Sequence, residues 1–219
     1  MGALLSVAGL LDRIARTIGK TVGWIMIPLI LVIIFDVITR KLDFTRLLFA
    51  GYTATSGVSV STILQDLQWH FHAVLLMMTF GFGYLANAHV RVDVFRELLP
   101  RRPQAWIEVF GLIFFGFPFV LLMIWYSFQM TELSFHQGEG SESMTGIGQR
   151  WFIKSFLLWG FIVTMMAILA TLFRLIAYLF GDQDAQEEAL EGLEIFAEEN
   201  EELAAARRAA EEALKQGGN

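Results

Sequence analysis

The chain has 219 residues, of which 55% are hydrophobic and 17% are charged, and its mean hydropathy is +0.54. So few charged residues could not cover the surface of a soluble domain of this size, which excludes an ordinary soluble protein. Cysteine is absent, which excludes disulfides, thiolate metal sites and cysteine nucleophiles. The net charge of −6 is unevenly distributed, because residues 182–219 hold 12 of the 22 acidic residues and 3 of the 16 basic ones. The composition therefore predicts a mildly basic membrane domain followed by a short acidic tail.

Residues 1–20 have the pattern of an amphipathic helix. Arg13, Arg16 and Lys20 fall on one side of the helix, and no basic residue precedes the apolar run as it would in a secretory signal peptide. We therefore expect an amphipathic interfacial helix at the cytoplasmic surface of the membrane. The residues of its apolar face recur at three- and four-residue spacing: Leu4, Val7, Ala8, Leu11, Ile14, Ala15 and Ile18.

The first predicted span covers residues 22–38, and Pro28 inside it is expected to kink the helix. Asp36 is a functional candidate because it is an ionisable group within a span. It lies near the end of the span and four residues before Arg40, however, and this spacing favours a structural ion pair. Residues 41–66 are rich in Gly, Ser and Thr and are predicted to form an outer loop that could lie along the interface.

The second predicted span covers residues 69–88, in which the only ionisable side chains are His70 and His72. About 20 apolar residues rise about 30 Å as a helix, which is enough to cross the hydrocarbon of a bilayer. Four arginines follow within a short distance, and an excess of Lys and Arg is typical of the cytoplasmic side. These residues are Arg91, Arg96, Arg101 and Arg102.

Two further spans are predicted at residues 105–126, with Pro118 in the middle, and at residues 156–178. A loop rich in glycine and glutamate connects them and is predicted to face outward. The segments predicted to be inside contain eight Lys and Arg residues, and the outer ones contain five. Residues 21–181 are therefore predicted to form a four-helix membrane domain with both termini in the cytoplasm.

Residues 182–219 are rich in Ala and Glu and have an interrupted apolar stripe. Arg207 and Arg208 break the heptad pattern that a coiled coil requires. The segment is therefore predicted to be an acidic, partly disordered helical tail in the cytoplasm.

The chain offers little to support a catalytic or cofactor site. A haem held by two histidines needs one from each of two facing helices, whereas His70 and His89 are 19 residues apart on the second span and His136 lies towards the outer loop. No nucleotide-binding loop and no cluster of a nucleophile with a base can be assigned. The sequence alone therefore predicts an all-α membrane protein that is not an enzyme, has no cofactor or metal site and binds no nucleic acid.

Several short motifs in order resemble the small membrane subunit (DctQ-like) of tripartite ATP-independent periplasmic (TRAP) transporters. The resemblance covers about residues 15–178 and the four predicted spans. The chain departs from it at Gly146-Ile147-Gly148, where Gly-Leu-Pro is common, and at Leu158-Trp159-Gly160, where a proline is common. The matching motifs are Leu67-Gln68-Trp69-His70, His89-Val90-Arg91-Val92-Asp93-Val94, Trp106, Pro118, Glu132-Leu133-Ser134, Gly146, Trp151 and Lys154.

The resemblance implies a subunit of a secondary transporter in the bacterial inner membrane. In such a system a periplasmic binding protein delivers an organic acid to a large membrane subunit, which moves it inward with an ion gradient. The small subunit would widen the fixed scaffold of the large one. The alternative is a free-standing four-helix membrane protein, such as a sensor or a redox anchor.

Eight motif residues are candidates for contacts with the large subunit. Arg91 and Asp93 could dock on that subunit or simply anchor their loop at the lipid headgroups. The tryptophans are expected to be interfacial anchors, and Glu132 and Lys154 could pair across the outer loop. The full set is Gln68, Trp69, His89, Arg91, Asp93, Glu132, Trp151 and Lys154.

Overall fold

The computed structural model describes residues 1–88, 99–141, 143 and 145–196. Over these residues the chain forms helices and no strand, as the sequence predicts. The helices are α1 (Gly2–Gly23), α2 (Met26–Lys41), α3 (Asp43–Ser56), α4 (Val60–Leu85), α5 (Arg101–Gly111), a π-helical turn (Leu112–Gly116), α6 (Phe117–His136), α7 (Arg150–Phe180), α8 (Gln183–Glu191) and a 3₁₀ turn (Glu194–Phe196).

The helices α1 and α2 follow one another as a single helical stretch of 40 residues. The break between them lies just before Pro28, which has no N–H to donate to the carbonyl of Trp24. Ile27 N donates to Trp24 O instead, at 3.1 Å, in the tighter i→i−3 pattern. The predicted effect of Pro28 is therefore confirmed as a local interruption of the helix.

Pro118 has a similar effect in the stretch from α5 to α6. It has no N–H for the carbonyl of Phe114, and the turn before it widens to a π-helix over Leu112–Gly116. The N–H of Phe117 donates to Leu112 O, five residues back. The whole stretch, Arg101–His136, counts as one apolar helix of 36 residues, so it is longer than the predicted span of 105–126.

The central helix is α7, which packs against α1, α4, α6 and α8. Its closest approach is to α4, at two glycines. A Cβ added at Gly160 would lie 2.5 Å from the carbonyl oxygen of Met77, and one added at Gly81 would lie 2.8 Å from the carbonyl oxygen of Val163. Small residues at these positions let the two backbones come close, which is the usual packing of helices in membranes.

The predicted amphipathic helix at the N-terminus is present as α1, and protein covers part of its apolar face. Leu5, Ala8, Ala15 and Gly19 are buried, and α1 packs against α4 and α7. Of the predicted apolar face, Ala8 and Ala15 are covered by protein, whereas Val7 and Ile14 are exposed. The interfacial position of the helix stays a prediction. The pattern identifies an apolar face without showing whether lipid or another helix covers it.

Residues 41–66, predicted to be a loop, form α3 and the first turns of α4. The axes of α3 and α4 meet at 97°, next to Gly57, which has a positive φ of 72°. With 14 residues, α3 is about 21 Å long, which is too short to cross a membrane.

Three helices in the described part of the chain are long and apolar enough to cross a membrane, and the bent pair of α3 and α4 could supply a fourth. The three are the stretch from α1 to α2, the stretch from α5 to α6, and α7. The prediction of an all-helical membrane protein is thus confirmed, with three or four spans. The predicted span at 69–88 lies mostly within α4, which begins nine residues earlier.

The start of the acidic tail is more ordered than the predicted, partly disordered helical tail. Residues 183–196 form α8 and the 3₁₀ turn, which fold back against α7. Ala189, Leu193 and Phe196 are buried in the main apolar core. The interrupted apolar stripe therefore packs on the bundle, while the rest of the predicted tail, 197–219, lies outside the described residues.

Candidate functional site

Polar side chains gather at the two ends of the helix bundle. We call the end where α2 stops and α4 and α7 begin the loop end, and the opposite end, where α4 and α7 stop, the tail end. The loop end contains the segment 137–149, which joins α6 to α7. The tail end contains the start of α1 and the segment 183–196.

At the loop end, α2 and α4 are joined by a cluster around Asp36, which is only 6% exposed. Arg40 Nε donates to Asp36 Oδ1 at 2.9 Å, which confirms the predicted ion pair. Gln68 Nε2 donates to Asp36 Oδ2 at 3.1 Å. In the amide orientation that satisfies both side chains, Gln65 accepts from the guanidinium of Arg40. Each carboxylate oxygen thus has a donor, as a buried charge requires.

The 137–149 loop is held to α4 by Asp66. Its Oδ2 accepts hydrogen bonds from Ser141 Oγ at 2.9 Å and from the main-chain N–H of Ile147 at 2.8 Å. A side chain on Gly146 would collide with Asp66 and Ser141, so this position needs a glycine. Sequence reasoning missed Asp66, although an acidic residue shortly before an apolar run was a visible signal.

Glu139 is the ionic centre of the same loop. It pairs with Lys154 and lies 3.9 Å from Arg150 Nη1. The hydrogen bond from Lys154, supported by the charge of Arg150, lowers the pKa of the Glu139 carboxyl. Lys154 therefore pairs with Glu139, and the predicted pair with Glu132 is not formed, because Glu132 points outward from α6 and is exposed.

The two tryptophans among the predicted site residues differ in their surroundings. Trp69 is 78% exposed on α4, as expected of a side chain that contacts lipid or another subunit. Trp151 donates from Nε1 to Gln149 Oε1 at 2.6 Å and meets the ring of Phe135 edge-on, with 5.3 Å between centroids. Trp151 thus closes the 137–149 loop against α6.

A second ionic cluster joins α1, α7 and the tail segment at the tail end. Arg174 Nη1 donates to Asp12 Oδ1 at 3.0 Å and to Gly192 O at 2.9 Å. Arg16 Nε donates to Asp12 at 3.1 Å, and Arg16 Nη2 lies 3.4 Å from Glu194 Oε1. No pattern in the sequence indicated this cluster, because its members come from three segments far apart in the chain.

Three of the predicted site residues, His89, Arg91 and Asp93, lie outside the described residues. The other five are in the described part, and the structure brings Gln68 into the Asp36 cluster and Lys154 into the Glu139 cluster. Over residues 1–88, 99–141, 143 and 145–196, no group of three or more His, Asp or Glu side chains could hold a metal ion. The clusters that are described join helices to each other and to loops.

Comparison with protein families gives a match to the DctQ component of tripartite ATP-independent periplasmic transporters over residues 29–177. This range runs from the start of α2 almost to the end of α7 and covers about two thirds of the chain. Comparisons with curated proteins and with solved structures gave no match. The chain therefore belongs to the DctQ family, the small permease component of TRAP transporters.

Proposed function

We propose that this protein is the scaffold of a TRAP transporter, held beside the large membrane subunit. The observation that carries the proposal is the family match, which spans residues 29–177 and includes most of the membrane helices. The large subunit would carry the substrate across the membrane with an ion gradient. The substrate would be an organic acid delivered by a periplasmic binding protein.

The distribution of apolar side chains supports a scaffolding role. The helix α2 contacts α3 and α4 and has broad exposed apolar surface elsewhere, including Leu31, Phe35 and Val37. On α6, Phe119, Leu122 and Trp125 are exposed in the same way. Such surfaces suit contact with lipid or with the helices of another membrane subunit, while the ionic clusters described above lie at the ends of the bundle.

We place the protein in the bacterial inner membrane with four spans and both termini in the cytoplasm. The excess of Lys and Arg in the segments 1–20 and 89–104 supports this orientation. In this arrangement the 137–149 loop and α3 face the periplasm, and the tail segment 183–196 faces the cytoplasm.

The experiment that tests the proposed function combines purification with transport. We expect this chain, tagged and extracted gently from native membranes, to bring along a larger multispan membrane protein. Deletion of its gene should abolish uptake of one organic acid, and a plasmid copy should restore it. Recovery of the chain without such a partner would favour a free-standing protein, and transport by this chain alone in liposomes would contradict a scaffold role.

We also propose that the segment 89–93 docks on the large subunit. Its Arg91 and Asp93 belong to the motif His89–Val94, which resembles other small TRAP subunits. In contrast, Arg102 lies at the start of α5 and is exposed. We expect Arg91→Glu to reduce recovery of the large subunit about tenfold, a change of 1.4 kcal/mol, and Arg102→Glu to have a small effect. Equal recovery with both variants would favour anchoring at the headgroups.

A further inference from the structure

A cavity of about 320 Å³ lies between α3 and the junction of α2 with α4. It belongs to no cluster described above except through Arg40, which also pairs with Asp36. Six of its eight lining residues carry a hydroxyl or a guanidinium group, although most of the wall surface is apolar. The lining residues are Thr39, Arg40, Arg46, Phe49, Ala50, Thr53, Ser59 and Ser61.

The chemistry of the cavity suits an anion. Two guanidinium groups line it, and guanidinium binds phosphate or carboxylate through paired hydrogen bonds. Arg46 pairs with Asp43 at 2.8 Å, but the Asp43 side chain is 81% exposed, so this pair is weak and can give way to a ligand. The Ser59 hydroxyl accepts from Thr62 N, and its own proton remains available to a bound oxygen.

The net charge around the cavity is positive, as the binding of an anion requires. Arg40, Lys41 and Arg46 carry three positive charges, and Asp36 and Asp43 carry two negative ones. The segment 36–46 therefore has a net charge of +1 next to the cavity. The apolar span that precedes this segment confines the positive charge to the loop end of the bundle.

An apolar groove lies on the exposed side of α3, and Phe49 is the one residue that lines both the groove and the cavity. Leu47, Leu48, Tyr52 and Val60 form most of the groove. A cavity lined by two arginines, under a helix whose exposed side is apolar, fits a ligand with an anionic head and hydrocarbon chains. A small soluble acid would use the cavity and leave the groove empty.

The placement of α3 indicates where such a ligand comes from. The helix runs at 97° to α4 and exposes Phe44, Leu47, Leu48 and Tyr52. A short helix across the end of a membrane bundle, with large apolar side chains exposed, is typical of the interface between headgroups and acyl chains. In the membrane placement proposed above, the cavity under α3 lies at the depth of lipid phosphates.

We propose that this cavity binds the phosphate of an anionic phospholipid, with Arg40 and Arg46 on the headgroup and the acyl chains in the bilayer along the exposed side of α3. The bound lipid would tie α3 to the junction of α2 and α4, where α3 makes few other contacts. The proposal depends on the membrane placement of the chain and is independent of its role in transport.

The test measures lipid binding to the full chain, purified in detergent and stripped of lipid. Native mass spectrometry gives dissociation constants for phosphatidylglycerol, for phosphatidylcholine and for soluble glycerol phosphate. We expect phosphatidylglycerol to bind most tightly and Arg46→Gln to weaken that binding about tenfold, as for loss of a charge-assisted hydrogen bond. The matched control is Lys41→Gln, which removes the same charge from a residue outside the cavity lining and should change binding by less than about twofold.

A second variant protects the test against a folding defect. Ala50→Phe fills the cavity without changing the charge and should also weaken the binding of phosphatidylglycerol. Equal effects of Lys41→Gln and Arg46→Gln would overturn the proposal, because they would show diffuse attraction. Equal binding of phosphatidylcholine would overturn it as well, and equal binding of glycerol phosphate would show a site for a soluble anion instead of a lipid.

Discussion

At the scale of single residues, Asp66 holds the 137–149 loop in place at the loop end. One carboxylate oxygen accepts from Ser141 and from the main-chain N–H of Ile147, which is 81 residues further along the chain. Gly146 is packed directly against this carboxylate. The first turns of α4 thus determine the position of the loop before α7.

We expect Asp66→Ala to destabilise the protein by about 1–3 kcal/mol, because two donors lose their acceptor. The loop at 137–149 should also become more sensitive to protease. Thermal unfolding in detergent and limited proteolysis measure the two effects. Glu132→Ala is the control, since it removes an exposed acidic side chain at the same end of the bundle. Equal changes in both variants would contradict the role of Asp66.

At the scale of helices, the contact between α4 and α7 depends on two glycines, which have no side chain to keep the backbones apart. The carbonyl of Met77 faces Gly160, and the carbonyl of Val163 faces Gly81. Atoms this close leave no room for a methyl group unless the helices separate. A backbone approach of this kind supplies dispersion contacts where membrane helices gain little from the hydrophobic effect.

We predict that Gly160→Ala lowers the free energy of unfolding by about 1–3 kcal/mol, the usual cost of overpacking. Gly111→Ala serves as the control, because a Cβ there meets nothing within 4 Å. That change should stabilise α5 by up to about 1 kcal/mol through helix propensity. Unfolding curves of the two variants in the same detergent decide the matter, and equal destabilisation would count against close packing at Gly160.

The packing of the tail segment, residues 183–196, is a second feature at the scale of helices. Phe196 is 1% exposed and lies 6.1 Å from the ring of Tyr178, centroid to centroid. Arg174 also donates to Gly192 O. The residues 183–196 therefore contribute to the core, which the prediction of a partly disordered tail did not include.

Truncation separates the packed part of the tail from the rest. Removal of residues 182–219 should lower the unfolding temperature by several degrees, since it exposes the core around Leu193 and Phe196 and leaves Arg174 with fewer partners. Removal of residues 197–219 should change it little. Identical unfolding temperatures for the two truncations would show that the packing of 183–196 contributes nothing to stability.

At the scale of the whole molecule, the orientation in the membrane follows from charge. The basic residues are more numerous in the segments that we place in the cytoplasm. The absence of cysteine allows this to be measured with single cysteines in an otherwise unreactive chain.

We expect a membrane-impermeant thiol reagent to label Gln137→Cys in intact cells, because that residue is exposed in the loop proposed to face the periplasm. Ser6→Cys and Pro103→Cys should react only after the inner membrane is opened. All three substitutions leave every basic residue in place. Labelling of Pro103→Cys in intact cells would reverse the orientation, and labelling of Ser6→Cys alone among the inner pair would mean an odd number of spans between them.

The features that could be predicted from the sequence are local ones. Apolar runs located the membrane helices, Pro28 marked an interruption of the first one, and the four-residue spacing of Asp36 and Arg40 predicted their ion pair. The motifs also led to the right family. Neighbours along a helix are separated by fixed distances, so these features need no knowledge of the tertiary structure.

The tertiary structure alone decided which partner each surface meets. It pairs Lys154 with Glu139 in place of Glu132 and brings Asp66 to the 137–149 loop. It also covers part of the apolar face of α1 and the apolar side chains of residues 183–196 with protein. An apolar stripe looks the same in sequence whether lipid or another helix covers it, because the two are equally apolar. Contacts between distant segments depend on how the helices pack, and no local spacing in the chain records that arrangement.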